Sequence, residues 1–241
     1  MRDVSELGTV LGVWAHPDDD IYLTAGLMAA AVDAGRRVAV VTATRGEGGS
    51  MDEERWPPET MGEVRTKELL RSLEVLGVKE HRFLEGSVDV DMDTGLHPST
   101  ADQVRDAMAD VDPDTVVTFG PEGMTGHVAH QDISRMTGEA FARVAKPGAR
   151  LFHAVFPASL GERWLEKLGP FDIFRPGSPR VVANEDLDLE LVLEPALLDR
   201  KIASIKEHAS QIEALYEVFG DEGFKEFMGI EAFVVASVKE G

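Results

Sequence analysis

Two short stretches of this chain carry more imidazole and carboxylate than ordinary packing calls for. The first, Trp14-Ala15-His16-Pro17-Asp18-Asp19-Asp20, puts one imidazole and three carboxylates within five residues. Such a cluster is too charged to bury without a cation or other partners. The second, Gly126-His127-Val128-Ala129-His130-Gln131-Asp132, holds two imidazoles one helical turn apart, which points both toward one face. The chain has no cysteine, so thiolate ligands and disulfides are excluded and a metal must be held by His and carboxylate. A mononuclear catalytic zinc commonly has three protein ligands and one open position. His16, Asp19 and His130 would complete one such set, leaving Asp18 and His127 for proton transfer. Asp132, two residues beyond His130, is expected to orient one of the imidazoles.

Both stretches need elements that bring them together. Residues 9–15 form an apolar, β-branched run that reads as a buried strand, and residues 21–34 have helical periodicity closed by Gly35. Residues 37–44 read as a second buried strand, so the order strand, helix, strand makes a βαβ unit with a parallel sheet. Residues 61–76 read as a helix, 81–84 as a short strand, 98–111 as an amphipathic helix and 114–120 as another buried strand. Each chemical stretch therefore follows a strand as a helix begins. Two such strand ends of one parallel sheet open on the same edge, where open α/β folds place their ligands. His127 and His130 can then converge on His16, Asp18 and Asp19.

The remaining segments say less. Arg45-Gly46-Glu47-Gly48-Gly49-Ser50 follows the second strand, where a dinucleotide fingerprint would follow the first, so it reads as a tight turn beside the cluster. Residues 51–60 read as an irregular loop over the site. Arg65 and Glu68 stand one turn apart and read locally as a surface ion pair. Asp89, Asp91 and Asp93 alternate without the glycine and glutamate of a calcium loop, and read as a solvated acidic turn. Residues 150–156 read as a fifth strand and 161–186, with Phe171 and Phe174, as irregular. Residues 187–193 and 231–238 read as further strands, with a long helix from Pro195 to about Phe219 carrying His208 between them. The expected fold is a single α/β domain over 1–241, Rossmann-like, its mostly parallel sheet flanked by helices and extended by C-terminal strands and a helix.

Charge narrows the partners. With 24 basic against 44 acidic residues and a net charge of −20, neither a nucleic-acid backbone nor an anionic membrane is an expected partner. The amino terminus lacks the apolar core of a signal peptide, and no apolar run approaches the roughly 20 residues of a membrane span. A cytoplasmic protein acting on a small molecule, possible as a homo-oligomer, is the expectation.

His16-Pro17-Asp18-Asp19-Asp20 with Gly126-His127-Val128-Ala129-His130 resembles the zinc-dependent N-deacetylases of the PIG-L/LmbE-like superfamily, which act on N-acetylglucosaminyl compounds. The likeness extends to Thr42-Ala43-Thr44-Arg45-Gly46-Glu47-Gly48-Gly49, similar to the family's glycine turn, and to Arg65-Thr66-Lys67-Glu68, similar to its Arg-x-x-Glu helix. It also includes Lys206-Glu207-His208-Ala209-Ser210-Gln211, similar to its late His-x-Ser-Gln helix. The resemblance implies zinc ligands at His16, Asp19 and His130, a general base at Asp18, and at His127 the group that protonates the leaving amine or steadies the oxyanion. It implies a sugar contact at Arg65. The family's first motif usually ends in Glu where this chain has Asp20, an acid that supports the fold of the loop. The metal is expected to be zinc, with ferrous iron possible because a His₂-Asp site accepts both.

The expected reaction is therefore removal of an N-acetyl or related acyl group from an N-acetylglucosaminyl-type glycoside, with a metal-activated water as nucleophile. Two other classes are weighed against it. One keeps the metal and cleaves a glycosyl-linked conjugate, such as a mycothiol S-conjugate. The other is a member that retains the fold without catalysis.

Overall fold

The computed structural model describes residues 4–169 and 173–240. Five parallel strands build the first part of the sheet: β1 (Val10–Trp14), β2 (Val38–Thr42), β3 (Glu80–Phe83), β4 (Thr115–Phe119) and β5 (Arg150–Ala154). Their spatial order is β3-β2-β1-β4-β5, the winding of a doubly wound α/β fold. Every residue of β1, β2 and β4 is buried, which is why these segments read as continuous apolar runs rather than alternating ones. Beyond β5, the sheet is extended antiparallel by β9 (Ile230–Val238) and then β8 (Leu189–Val192).

The chain runs outward from β1 to β3 and then returns to β4 and β5, so right-handed crossovers put the two sets of helices on opposite faces. Helices α1 (Asp19–Asp33) and α2 (Met61–Leu76) pack on one face, and α3 (Thr100–Val111) and α4 (Val128–Val144) pair on the other. The winding reverses between β1 and β4. A crevice opens there at the carboxyl ends of the strands, and both chemical stretches lead out of it.

Three segments differ from their sequence reading. Part of residues 161–186 is helical: α5 (Ala158–Leu168) buries Leu160, Trp164 and Leu168, an i, i+4, i+8 stripe interrupted in sequence by Gly161. Phe171 lies outside the described residues. The strand read over 150–156 ends at Ala154, and Phe156–Pro157 (β6) instead pairs with Val181–Val182 (β7) in a separate two-stranded sheet. The long helix from Pro195 is two helices, α6 (Pro195–Lys206) and α7 (Ala209–Met228), parted at Glu207–His208. His208 takes a non-helical backbone (φ −89°, ψ 54°) that turns its ring into the core, where Nε2 lies 3.1 Å from Ser72 Oγ.

A buried network ties these C-terminal elements to α1. Lys201 Nζ sits 2.8 Å from Glu231 Oε1 and donates to the Tyr22 carbonyl at 2.9 Å. Glu231 in turn accepts from the backbone N–H groups of Gly26 and Leu27, at 2.7 and 2.8 Å. Both ions are thus paired and hydrogen-bonded, as burial of charge demands. Among the described residues no helix is long and apolar enough to cross a membrane.

Candidate metal centre

Directly after β1 the chain turns sharply through His16 and Pro17 into α1. Asp18 occupies the position before that helix with φ 114°, a conformation that costs most residues strain and that Asp and Asn tolerate better than others. Its carbonyl accepts from Ile21 and Tyr22 N–H at 3.1 Å each, which starts the helix. Asp19 folds back so that Oδ2 accepts from the N–H groups of Ala15 and His16 at 3.2 and 2.7 Å. After β4 a second turn, with positive φ at Gly123, Met124 and Gly126, delivers His127 to the start of α4 and His130 into its first turn. Phe119, at the end of β4, stacks flat against the His130 ring at 4.1 Å.

His16, Asp19 and His130 converge, with one donor atom from each within 4.8 Å of the others. His16 Nδ1 and His130 Nε2 are 2.9 Å apart and Asp19 Oδ1 is 3.5 Å from His130 Nε2, while the other carboxylate oxygen, Oδ2, lies 3.8 Å from His16 Nδ1. All three residues are buried. Metal–ligand bonds of about 2.0–2.1 Å in a tetrahedral set put neighbouring donors roughly 3.3 Å apart, and the separations of His130 Nε2 from His16 Nδ1 and from Asp19 Oδ1 lie on either side of that value. The donor set therefore fits a small divalent metal. The far nitrogen of each ring faces an oxygen, as ligating histidines require. Asp89 Oδ1 lies 3.4 Å from His16 Nε2, and His130 Nδ1 lies 2.9 Å from the Gly123 carbonyl.

Electrostatics follow from burial in so acidic a cluster. Burial raises the Asp18 carboxyl to about 7 although Arg65 pulls it down, and raises Asp19 to about 6. Asp20 is wholly buried and is also pushed up to about 7 by burial. Burial alone would lower His16, yet the hydrogen bond and charge of Asp89, with the charge of Asp19, leave it raised. Burial, together with the His16 charge, holds His127 down to about 4 and His130 well below its ordinary range. His127 is thus neutral at physiological pH, and its ring is stacked 4.6 Å from that of His130.

Several sequence expectations change here. Asp89 is not part of a solvated turn: its side chain is 10% exposed and faces His16. Its backbone N–H donates to Glu47 at 3.1 Å, and a Cβ on Gly48 would meet the Val90 carbonyl at 2.2 Å, so the acidic loop lies directly on the glycine turn. Arg65 and Glu68 face different partners rather than each other. Arg65 is buried, with Nη2 2.6 Å from the Pro17 carbonyl and 3.1 Å from Asp18 Oδ2, and Nη1 3.2 Å from the Gly46 carbonyl. A Cβ on Gly46 or Gly49 would sit 2.3 or 2.2 Å from that Nη1, so the glycine turn makes room for a guanidinium. The contacts that Arg65 makes in the structure are internal, to Pro17, Asp18 and Gly46. Glu68 accepts from Ser210 N–H and Oγ–H at 2.9 and 2.7 Å.

Asp132 orients neither imidazole. Its Oδ2 accepts from Leu96 N–H at 3.0 Å and its Oδ1 from Arg135 at 3.0 Å, because its place on α4 points it at the loop before α3. His208 packs against Ser72 behind the Arg65–Glu68 side of the site rather than among the donors. The polar group that does reach the imidazoles is Thr125, whose Oγ1 is 2.7 Å from His127 Nδ1 and 3.1 Å from His130 Nδ1. Neither Asp89 nor Thr125 announces itself in sequence. One sits in an acidic run, and the other is a lone hydroxyl two residues before His127.

Replacing Asp89 with alanine removes the carboxylate behind His16 while leaving the three donors in place. We expect metal affinity to fall by about 10–100-fold, read by competition against a chelator. Unchanged affinity would show that Asp89 does not support the site.

Similarity to known proteins runs over the same residues. The model of a family described as GlcNAc-PI de-N-acetylase matches residues 11–141, from β1 through α4. A 1D-myo-inositol 2-acetamido-2-deoxy-alpha-D-glucopyranoside deacetylase of Thermobifida fusca is 30% identical, over 84% of this chain and 83% of its own. Among solved structures, an N,N'-diacetylchitobiose deacetylase from Pyrococcus horikoshii superposes with a TM-score of 0.61 at 21% identity, covering 94% of this chain and 83% of that one. GalB, a 4-carboxy-2-hydroxymuconate hydratase of Pseudomonas putida, superposes at 0.65 with 16% identity, covering 97% and 98%. At such identities the superpositions establish the fold alone, and one fold carries different chemistries. The family match is of another kind, since it spans both strand ends and every donor that meets between them: the chain belongs to the GlcNAc-PI de-N-acetylase (PIG-L) family.

Proposed function

We propose that this protein is a metal-dependent hydrolase that removes an N-acetyl group from a small N-acetylglucosaminyl-type glycoside, with His16, Asp19 and His130 holding the metal. The observation that carries the reading is the convergence of those three buried donors at the winding reversal of the sheet, flanked by Asp18 and His127. The relatives' named activity supports deacetylation over cleavage of a glycosyl conjugate. When bound, a divalent metal supplies Lewis acidity to the acyl carbonyl and lowers the pKa of a water. Two imidazoles and one carboxylate suit zinc, the metal we favour, and also ferrous iron.

The chain's own residues supply the proton chemistry. Asp18, desolvated and fixed by Arg65, accepts the proton of the attacking water at its carboxylate. A base whose pKa lies near the working pH combines the right protonation state with driving force. Across the cleft His127 offers a ring N–H where negative charge develops on the acyl oxygen, the position at which a fixed donor has the most effect. The amine leaves only when protonated, and the proton taken up by Asp18 is available for that step. Arg65 and the Asp19 backbone contacts hold the His16–Asp19 turn, so the base and the donors keep their spacing.

The test pairs metal analysis with amine release from N-acetylglucosaminyl glycosides bearing inositol or a second N-acetylglucosamine. The expected result is about one zinc or iron per chain and amine release, both lost in Asp19→Ala. Metal-loaded wild type that releases no amine from any of these glycosides would overturn the proposal.

A further inference from the structure

The turn from Gly123 to His127 sets up a chain of hydrogen bonds whose direction can be read from chemistry alone. The Gly123 carbonyl only accepts, and it lies 2.9 Å from His130 Nδ1. His130 Nδ1 therefore carries a hydrogen, and its Nε2, which faces Asp19 and His16, does not. A protonated Nδ1 cannot accept, so toward Thr125 Oγ1 at 3.1 Å His130 acts only as a donor. The hydrogen of the threonine hydroxyl must go elsewhere. Two acceptors are within reach: the Gly123 carbonyl at 3.4 Å and His127 Nδ1 at 2.7 Å. The carbonyl already takes the Thr125 N–H at 2.6 Å, His130 Nδ1–H and, at 3.4 Å, the Gly126 N–H, so its two lone pairs are occupied without the hydroxyl. The hydroxyl hydrogen points to His127 Nδ1.

We propose that Thr125 is a positioning residue that holds His127 in the tautomer protonated at Nε2, so that this ring presents an N–H donor to the reacting acyl group. A neutral imidazole carries one ring proton, and a ring that accepts at Nδ1 bears it on Nε2. The role that sequence assigns to an acid, Asp132, is filled by a hydroxyl. Val128 and Ala129, the residues between the two imidazoles, offer no polar side chain for it. The arrangement links the two rings: the same Thr125 oxygen that accepts from the metal-binding imidazole donates to the other. The purpose of the N–H donor rests on the hydrolase reading. The tautomer does not.

The experiment uses the full-length, zinc-loaded protein labelled with ¹⁵N-histidine, without substrate, and reads the ring tautomers from two-bond ¹H–¹⁵N correlations. Wild type and Thr125→Ser are expected to show His127 protonated at Nε2. Thr125→Val, close in shape but without the hydroxyl, is expected to lose that fixed pattern while keeping its zinc, and to lose about 10–100-fold in kcat with little change in KM, which Thr125→Ser restores. His127 protonated at Nδ1 in wild type would overturn the proposal, as would Thr125→Val that keeps both the Nε2 pattern and the wild-type kcat. Failure of amine release in every variant would bear on the proposed function and leave the tautomer assignment to be decided by the spectra.

Discussion

Arg65→Ala is expected to destabilise the protein by about 3–5 kcal/mol, the usual cost of removing one partner of a buried ion pair. For a chain of this size that corresponds to a fall in Tm of roughly 6–20 °C. The guanidinium bridges the Pro17 carbonyl, the Asp18 carboxylate and the Gly46 carbonyl, and its loss takes the same donor from all three. Its removal leaves an unpaired carboxylate in a buried site and a void between Gly46 and Gly49, where the glycines leave space for the guanidinium. Activity should fall with stability, because Asp18 loses the contact that aims it. Thermal melts and steady-state kinetics on the same preparation separate this from a substrate-binding role. A raised KM with an unchanged Tm would show that Arg65 reaches the sugar after all.

Asp18→Asn is expected to lower kcat by about 10²–10⁴-fold, the range for loss of a positioned base, while the metal content per chain stays at the wild-type value. Asparagine suits the test on two grounds. It tolerates the positive φ of this position almost as well as aspartate does, and its side-chain oxygen still accepts from Arg65. The change is then confined to basicity. Alanine would add backbone strain and leave Arg65 unpaired, so a loss of activity there would say little. Turnover of Asp18→Asn at the wild-type rate would remove Asp18 from the mechanism.

Both predictions concern a turn whose importance was plain from the sequence, although the job of Arg65 was not. The strands were legible because burial on both faces makes β1, β2 and β4 continuous apolar runs. The helices α1 to α4 were legible because an apolar stripe recurs at helical spacing. Local signals failed where a glycine interrupted the pattern, as at Gly161 in α5. They failed again where a side chain's burial outweighed helix continuity, as at His208 between α6 and α7.

Sequence by itself determined the donor set. His16, Asp19 and His130 each follow a strand of the same parallel sheet, and a βαβ winding leaves such positions little freedom but to meet at one edge. What surrounds those donors was decided only by tertiary structure. Asp89 reads as one of several alternating acids, and becomes the partner of His16 only because its loop lies down on Gly48 and Glu47. Arg65 reads as half of a helix-surface pair with Glu68, yet a guanidinium takes whichever carbonyls and carboxylates surround its end, and these come from Pro17, Asp18 and Gly46. Asp132 stands nearer His130 in sequence than Thr125 does, but the helix turns it away while the Gly123–Gly126 turn folds Thr125 beneath both rings. Residue type and spacing select the atoms that can bind a metal. What stands behind each of them depends on how the loops fold, the Gly123–Gly126 turn beneath His127 and His130 and the distant Asp89 loop beside His16.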